Sequence, residues 1–278
     1  MAGSKLIIHW GSFINGMAYV MLGRCQKLED IHIVGKFDKS QIKCDPNALE
    51  MKYRLDFKDQ LRSEKLAAEL RNSFVISFVN VNRLFPHLPD VLSDHILLNS
   101  DVFGLAETWL ENEEQIIVDD FKGFFHNVRK GQGTAAFVKN KIHCEVTRFS
   151  QVGGENISEK ISGILVNTEK VDIIFLYLSK HYIWNDLKTC LERWIPSEKP
   201  AAILGDLNWN YLESFSNPMK EYLLSKDFKQ LVNEPTHDAG NLIDHAYVNQ
   251  ELLKLNVTLS KYCIEYSDHD ILQIKFPL

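Results

Sequence analysis

Polar residues that can bind a cation or move a proton recur at the ends of apolar runs in this 278-residue chain. They are Asn80 and Asn82, Glu107, Asp206 and Asn208, Asp244, Asp268 and His269. Each follows or overlaps a run that predicts a buried strand. Carboxylate and amide oxygens are the ligands that Mg²⁺ prefers, and this ion keeps several of its waters. The set therefore predicts a divalent-metal site suited to the hydrolysis of a phosphodiester.

The sequence Gly205-Asp206-Leu207-Asn208 follows the apolar run at 201–204. Strand alternation would place the Asp and Asn side chains on one face, two residues apart. An Asp beside an Asn is suited to holding and deprotonating a water that attacks phosphorus. The glycine before the Asp would allow close approach of backbone or of phosphate. An ordinary Asp–Asn turn remains an alternative interpretation of this motif taken alone.

The pair Asp268-His269 stands just before the last predicted strand. A histidine in a phosphodiester site can stabilise the pentacovalent transition state or transfer a proton. It works best when a carboxylate fixes its tautomer, and Asp244 is the candidate for that role. His245 would point to the opposite side of the same strand, so we interpret it as structural.

Glu107 ends the apolar run at 102–106, where a charge is costly unless it is paired or bound to a metal. Asn80 and Asn82 alternate on the preceding predicted strand, so both would point to one side of it. Taken singly, each of these residues is more typical of a solvated strand end or a turn. Their order along the chain is more specific than any one motif.

The composition is typical of a globular protein of a reducing compartment. Apolar residues make up 45% of the chain, enough for one sizeable core and an appendage. The five cysteines include no CxxC pair, so neither a disulfide framework nor a thiolate zinc site is expected. Without a signal-peptide layout or a membrane segment, we expect a nuclear or cytoplasmic protein. A net charge of −6 does not favour strong non-specific DNA binding.

A domain boundary is predicted near residue 71, after a stretch at 46–71 with near-helical apolar spacing. Beyond it, many predicted strands and few helices indicate one domain of stacked sheets flanked by helices. The strands are predicted at 74–80, 102–106, 134–138, 142–149, 161–167, 171–177, 201–204, 229–232, 243–248, 256–264 and 270–276, and the helices at 86–99, 184–195 and 217–226.

The motifs and their order resemble the endonuclease/exonuclease/phosphatase superfamily. The most similar branch is that of abasic-site endonucleases and the endonuclease domains of non-LTR retrotransposons. The resemblance covers residues 72–278 and is carried by the stretches 78–84, 105–110, 133–138 and 175–177 together with the three later motifs. It implies an α+β fold, a four-layer α/β/β/α sandwich of the DNase I-like type.

The resemblance also implies roles for the residues that would surround a metal. Asn80 and Glu107 would hold the ion, with Asn82 and Asp268 near it. Asn82 stands where other members carry an Asp, which weakens its match as a ligand. The implied cofactor is Mg²⁺ or Mn²⁺.

A second set of roles concerns the reaction. By the same resemblance, Asp206 activates the attacking water and Asn208 positions the water or the phosphate. His269 contacts the scissile phosphate and is oriented by Asp244. Tyr177 stands where the family has a phosphate-contacting tyrosine. The implied partner is DNA.

Residues 13–55 resemble the last motif of Pif-family and Helitron helicases, most clearly at 16–24 (GMAYVMLGR). Arg24 corresponds to an arginine that contacts the nucleotide γ-phosphate in those helicases. No GxxxxGK[ST] loop is present in the chain, so Arg24 would be vestigial. The resemblance implies that residues 1–71 are a helicase C-terminal remnant and linker, joined to an endonuclease-like domain at 72–278.

The expected activity is Mg²⁺-dependent nicking of DNA by a transposon-derived endonuclease, through metal-assisted attack of water on the phosphodiester. Two alternatives stay open. One is a phosphoesterase of the same fold that acts on lipid, nucleotide or RNA, although the chain lacks the Trp-Cys-Asp-Arg stretch of the inositol phosphatases. The other is a catalytically silent transposon fragment, which the presence of every expected catalytic residue disfavours.

Overall fold

The computed structural model describes residues 6–9, 31–34, 72–111, 116–127, 132–149, 160–195, 198–213 and 216–278. The chain divides into two compact units, Met1–Ala68 and Glu69–Leu278. In the first unit, β1 (Leu6–His9) pairs in parallel with β2 (Ile31–Val34). The helicase-like stretch at 16–24, which includes Arg24, and the stretch at 46–71 lie outside the described residues.

The second unit contains two mixed six-stranded sheets. Its strands are β3 (Ser73–Asn80), β4 (Val102–Ala106), β5 (Phe121–His126), β6 (Thr134–Lys139), β7 (Cys144–Arg148), β8 (Ile161–Thr168), β9 (Asp172–Leu178), β10 (Ala201–Asp206), β11 (Lys229–Gln230), β12 (Asp244–Val248), β13 (Thr258–Tyr262) and β14 (Ile271–Pro277). The first sheet has the order β13-β14-β3-β4-β6-β5, and the second has the order β11-β12-β10-β9-β8-β7. Every strand predicted beyond residue 71 overlaps one of these.

Strand alternation gives each sheet an inner and an outer face. On β3, Ile76 and Phe78 join a buried cluster that also contains Ile173 and Phe175 of β9. The rings of Phe78 and Phe175 stack across the interface, with centroids 6.2 Å apart. The main core therefore lies between the two sheets.

Helices cover the outer faces. They are α1 (Leu84–Val91), α2 (His95–Leu98), α3 (Trp184–Trp194) and α4 (Pro218–Ser225), whereas the short α5 (Gln250–Leu253) buries Leu252 in the main core. Buried side chains of α1 and α2 pack on the outer face of the first sheet, and those of α3 and α4 pack on the outer face of the second. None of the helices in the described part of the chain is long and apolar enough to cross a membrane. The four-layer α/β/β/α sandwich is confirmed.

Three elements of the second unit differ from the prediction, and one of them is the short helix α5, which was not predicted. The helix expected at 86–99 is divided into α1 and α2, because Asp94 accepts hydrogen bonds from the backbone N of Ile96 and Leu97 and so begins a new helix. Strand β5 was not predicted. It is an edge strand whose Lys122 and Gly123 are exposed, so its apolar alternation is weak.

Two glycines are required by close packing within the sandwich. A Cβ at Gly205 would lie 2.2 Å from the backbone O of Leu176 on the neighbouring strand β9. A Cβ at Gly104 would lie 2.2 Å from the ring of Phe175 on the opposite sheet. Gly205 thus serves the packing of two strands, which agrees with the predicted close approach of backbone.

Candidate active site

One row of polar residues crosses the second sheet at the end where β9 and β10 finish. Tyr177 on β9 pairs with Asp206 on β10, and Asp206 pairs with Asp244 on β12. All three are buried. Each lies two positions from an inward-facing core residue of its own strand, so each points between the sheets. Alternation therefore brings one hydroxyl and two carboxylates to the same edge of the sandwich.

Asn80 joins this row to the first sheet. It ends β3 beside the end of the parallel strand β4, which Glu107 follows. Its Nδ2 donates to Oε1 of Glu107 at 3.2 Å and to Oδ2 of Asp206 at 2.9 Å. Its Oδ1 accepts from the backbone N of Asn82 at 2.9 Å. Asn80 is fully buried and bridges two carboxylates from different sheets, a role the sequence did not predict.

A cavity of about 510 Å³ opens over this edge. Of the nine residues predicted for the site in residues 72–278, six line the cavity: Asn82, Glu107, Asp206, Asn208, Asp268 and His269. The other three, Asn80, Tyr177 and Asp244, are buried directly behind it and contact lining residues. The structure therefore brings all nine together.

His269 is held by a buried carboxylate. Its Nδ1 lies 2.8 Å from Oδ2 of Asp244, which leaves Nε2 for a ligand. Burial by itself lowers the pKa of His269, but the carboxylates of Asp244 and Asp206, with that of Asp268, outweigh it and raise the pKa to about 9. The imidazole is therefore cationic at neutral pH and suited to contact an anion.

Asp206 is the most enclosed carboxylate of the cavity wall. Its Oδ1 accepts from the backbone N of Asn208 at 2.9 Å, and its Oδ2 accepts from Nδ2 of Asn80 and, at 3.3 Å, from Nδ2 of Asn208. Burial, followed by the charge of Asp244, raises the pKa of Asp206 to about 8. A carboxylate with a pKa near neutrality can take a proton from water and release it again.

The chain leaves the strands in left-handed conformations around the cavity. Asn82, Glu107 and Asn208 have φ angles of 40°, 49° and 53°. Such φ angles are uncommon outside glycine and cluster at functional sites. We predicted that strand alternation would orient Asn82 and Asn208. This reason is wrong, because both residues lie beyond the last residues of β3 and β10. Both still reach the cavity.

Tyr177 stands behind the cavity wall. Its hydroxyl lies among the side chains of Glu107, Asp206 and Asn208, all three of which influence its pKa. Burial, followed by the charges of Glu107 and Asp206, raises the pKa of the phenol well above its ordinary value. The hydroxyl therefore stays protonated and acts as a hydrogen-bonding group.

His245 faces away from the cavity, as we predicted. It is buried, with one ring nitrogen 2.8 Å from Nε2 of Gln230 and the other 3.1 Å from the backbone O of Trp209. Burial lowers the pKa of this histidine to about 3. It is a neutral packing residue.

Sequence reasoning missed two residues that precede β12. Thr236 Oγ1 accepts from the backbone N of Asp244 at 3.0 Å and so fixes the start of that strand. His237 lines the cavity, with Nε2 3.2 Å from Oδ2 of Asp268. Neither residue follows an apolar run, so the strand-end pattern could not find them. The adjacent Thr and His were the only signal.

Three residues with oxygen donors line the cavity, namely Asn82, Glu107 and Asp268. Oε2 of Glu107 accepts from Nε1 of Trp109 at 3.3 Å. Nδ2 of Asn82 donates to Oδ1 of Asp268 at 3.3 Å, which turns the carbonyl oxygen of Asn82 away from this carboxylate. Glu107, Asn82 and Asp268 thus offer two carboxylates and an amide oxygen, a donor set that fits a hard divalent cation.

The charges of the buried residues behind the cavity also favour a bound divalent cation. Asp206, Asp244 and His269 present ligand atoms within 4.8 Å of one another. Oδ1 of Asp244 is buried and has no hydrogen-bond partner among the described residues. Burial and then the charge of Asp244 raise the pKa of Asp206, and a nearby divalent cation would offset the negative charge of these carboxylates. The residues present therefore fit a bound divalent metal.

Comparison with known proteins supports one family. The model of the Endonuclease/Exonuclease/phosphatase family matches residues 58–269. No match was found among curated protein sequences.

Solved structures share the fold at low identity. The endonuclease domain of TRAS1, a telomere-specific non-LTR retrotransposon, is 14% identical, with 74% of this chain and 99% of that chain covered and a TM-score of 0.55. An AP endonuclease from Archaeoglobus fulgidus is 16% identical over 74% of this chain and 100% of that chain, with a TM-score of 0.55. A variant of the 3′ phosphatase NExo from Neisseria, bound to a product DNA hairpin, is 16% identical over 74% of this chain and 100% of that chain, with a TM-score of 0.52.

Proposed function

The chain belongs to the endonuclease/exonuclease/phosphatase family, and from that premise we propose that it is a divalent-metal-dependent endonuclease that nicks DNA. Family membership makes it a hydrolase that acts on phosphodiester bonds. The observation that carries the finer proposal is the pair of Asp206 and an Asp244-held His269 on one open cavity. The proposal assigns Asp206 as a base and His269 as a cationic group that act on the same phosphate.

Asp206 is the proposed base. Its pKa, raised to about 8, suits the removal of a proton from a water molecule near neutral pH. Asn80 and Asn208 donate to its oxygens and hold the carboxylate in one orientation. Asn208, at the edge of the cavity, positions the water or the phosphate.

His269 is the proposed partner of the phosphate. Asp244 fixes the ring through Nδ1, so Nε2–H is free to donate to a phosphate oxygen as negative charge develops there. Tyr177, buried behind the cavity and paired with Asp206 across β9 and β10, keeps its phenol protonated beside the carboxylates of Glu107 and Asp206. These groups orient the reacting atoms without changing covalently.

Glu107, with Asn82 and Asp268, would hold Mg²⁺ or Mn²⁺, which when bound polarises the phosphate and offsets its charge. Asn80 keeps Glu107 in place by donating to Oε1 at 3.2 Å. We assign Asn80 this positioning role and not direct ligation, since it is fully buried behind the cavity and does not line it.

DNA is the proposed substrate, and two features support it. Structural neighbours that carry the same fold include a retrotransposon endonuclease domain, an AP endonuclease and a DNA-bound phosphatase. Lys180 lines the cavity, and the backbone N of the exposed Arg83 donates to the backbone O of the lining residue Glu107, with its guanidinium over the Trp109 ring. The transposon origin, the nuclear or cytoplasmic location and the helicase remnant at 1–71 are parts of the same proposal, and they rest on the sequence resemblance.

The proposal is tested by incubating the purified chain with supercoiled plasmid and Mg²⁺. Conversion to the open-circular form, abolished by EDTA and absent from the Asp206→Ala variant, is the expected result. RNA, a phosphoinositide and a simple phosphomonoester are assayed in parallel. Turnover of one of these without plasmid nicking would favour the other phosphoesterase, and no turnover at all would favour a silent fragment.

A further inference from the structure

His237 lines the cavity but has no part in the mechanism above. It lies in the loop between β11 and β12, and its backbone forms an isolated antiparallel bridge with that of His269. The backbone N of the next residue, Asp238, donates to the backbone O of Asp268 at 3.0 Å. The loop therefore docks through its main chain on the segment that carries two proposed site residues.

The backbone also fixes the proton on the His237 ring. Its Nδ1 accepts a hydrogen bond from the backbone N of Ala239 at 3.0 Å, so this nitrogen carries no proton. In a neutral ring the proton is then on Nε2, the nitrogen that lies 3.2 Å from Oδ2 of Asp268. His237 is thus oriented to donate from Nε2 to that carboxylate.

This tautomer argues against His237 as a metal ligand. His237, Asp268 and His269 present ligand atoms within 4.8 Å of one another, close enough to share an ion. A histidine that ligates through Nε2 donates from Nδ1 to an acceptor. Here the backbone N–H of Ala239 already donates to Nδ1. Ligation through Nε2 would leave the ring proton on Nδ1, so two N–H donors would face each other.

Asp268 is held from two sides. Its Oδ2 faces His237, and its Oδ1 accepts from Nδ2 of Asn82 at 3.3 Å. Asp268 is partly exposed, so without these two donors its side chain would be free to rotate. The same contact also holds Asn82, because the hydrogen bond to Asp268 sets the orientation of its side-chain amide. Asn82 lies in a loop beyond β3, with a φ of 40°.

We infer that His237 is a positioning residue which, through Asp268, orients the oxygen donors of Asp268 and Asn82 toward the divalent cation. The inference rests on the proposed function, since it assigns the cation to this cavity. It predicts a selective effect: loss of His237 weakens cation binding while the chemical groups Asp206 and His269 remain in place.

The first test uses the metal-free protein. Histidine ¹⁵N NMR spectra of the full chain report which ring nitrogen of His237 is protonated, with His237→Gln used to assign its signals. The Nε2–H tautomer is the expected result. A spectrum of the Nδ1–H tautomer would overturn the inference whether or not the protein cleaves DNA.

The second test measures Mg²⁺ binding by calorimetry without DNA. His237→Ala should weaken the affinity by roughly tenfold, as is typical when a residue behind a ligand is removed. His237→Gln keeps an amide donor near the position of Nε2 and should bind Mg²⁺ within roughly threefold of the parent. Equal losses in both variants would show that the donor to Asp268 is irrelevant.

Cleavage assays separate positioning from chemistry. The Mg²⁺ concentration for half-maximal nicking should rise roughly tenfold in His237→Ala, while the rate at saturating Mg²⁺ stays within roughly threefold of the parent. A rate that saturating Mg²⁺ does not restore would contradict the inference.

If the parent itself cleaves no DNA, the proposed function fails, and the NMR and calorimetric results still decide the role of His237. If the Ala variant does not fold, the Gln variant and the NMR spectrum of the parent decide the role of His237.

Discussion

Asp206 and Asp244 occupy paired positions on the antiparallel strands β10 and β12, and both carboxylates are buried on the inner face of the second sheet. Two like charges at such positions disfavour each other's ionisation. The positive charge of His269 offsets this repulsion, because its Nδ1 lies 2.8 Å from Oδ2 of Asp244. The charge of Asp244 therefore contributes to the raised pKa values of both Asp206 and His269, and its removal must change them.

Replacement of Asp244 by Asn should reveal this coupling. The pKa of His269 should fall by more than about one unit, because burial lowers it and the strongest opposing carboxylate is gone. The measurement is an NMR titration of the ring proton in the metal-free protein, with the exposed Asp90→Asn on α1 as the control. A pKa that stays near 9 in the Asp244 variant would contradict the assignment.

Loss of either reacting group should slow cleavage with little effect on folding. Asp206→Ala and His269→Ala should each lower the single-turnover rate by at least ~100-fold, the usual cost of removing a general base or a transition-state hydrogen bond. Thermal unfolding of each variant provides the stability control. A variant that cleaves as fast as the parent would rule out the role assigned to its residue.

The Glu107→Gln variant tests the metal assignment, because it removes charge while it keeps shape. It should raise the Mg²⁺ concentration for half-maximal cleavage and slow the reaction, and EDTA should abolish parent activity. Zn²⁺ at stoichiometric levels should not restore it, since the proposed ligands are all oxygen donors. The exposed Glu169→Gln is the matched control. Unchanged Mg²⁺ dependence in Glu107→Gln would place the ion elsewhere.

The inner row of the site was predictable because strand alternation is a local rule. Apolar runs placed Asp206 and Asp244 at strand ends, and the period of two then fixed which face each side chain takes. His245, one residue from Asp244, was correctly assigned to the other face for the same reason. The fold followed from the number and spacing of such runs.

What lies beyond the strand ends was not predictable in this way. Asn82 and Asn208 adopt positive φ angles, which no periodic pattern encodes. The bridge from Asn80 to carboxylates of both sheets depends on how the sheets face each other. His237 reaches Asp268 from a loop, through a contact between residues that are distant in the sequence. These features depend on tertiary packing, which local propensity does not determine.

The proposed DNA contact predicts a specific salt effect. Arg83 is exposed, with its guanidinium 5.6 Å from the Trp109 ring centroid, and Lys180 lines the cavity. If each neutralises one phosphate, Arg83→Gln and Lys180→Gln should each reduce the slope of log affinity against log salt by about 0.9. Duplex binding is measured by fluorescence anisotropy in an Asp206→Ala background.

Lys170 supplies the control for that series. It lies in the turn before β9, whereas the cavity lies at the opposite end of this strand. Its replacement by Gln should leave the slope unchanged. A uniform change in all three variants would indicate a general charge effect, and no change in any of them would remove the proposed phosphate contacts.

A last prediction concerns stability and lies away from the cavity. His126 on β5 is buried, and its Nδ1 accepts from the backbone N of Gly163 on β8 at 3.1 Å, which ties the two sheets together. Burial, followed by the charge of Arg148, lowers the pKa of His126 from 6.5 to about 4. The folded state therefore binds this proton less readily than the unfolded state.

The sign of the pH effect follows from that difference. The stabilising effect of a neutral His126 is complete above pH 6.5 and is lost as the pH falls toward 4. The loss amounts to about 3 kcal/mol at most, from roughly 1.4 kcal/mol per pKa unit.

His126→Asn keeps an oxygen acceptor for Gly163 and cannot titrate. Urea unfolding at several pH values between these limits should therefore show a smaller decline of unfolding free energy in the variant than in the parent. The exposed His181→Asn should decline like the parent, and equal slopes for His126→Asn and the parent would show that this ring is not kept neutral by the fold.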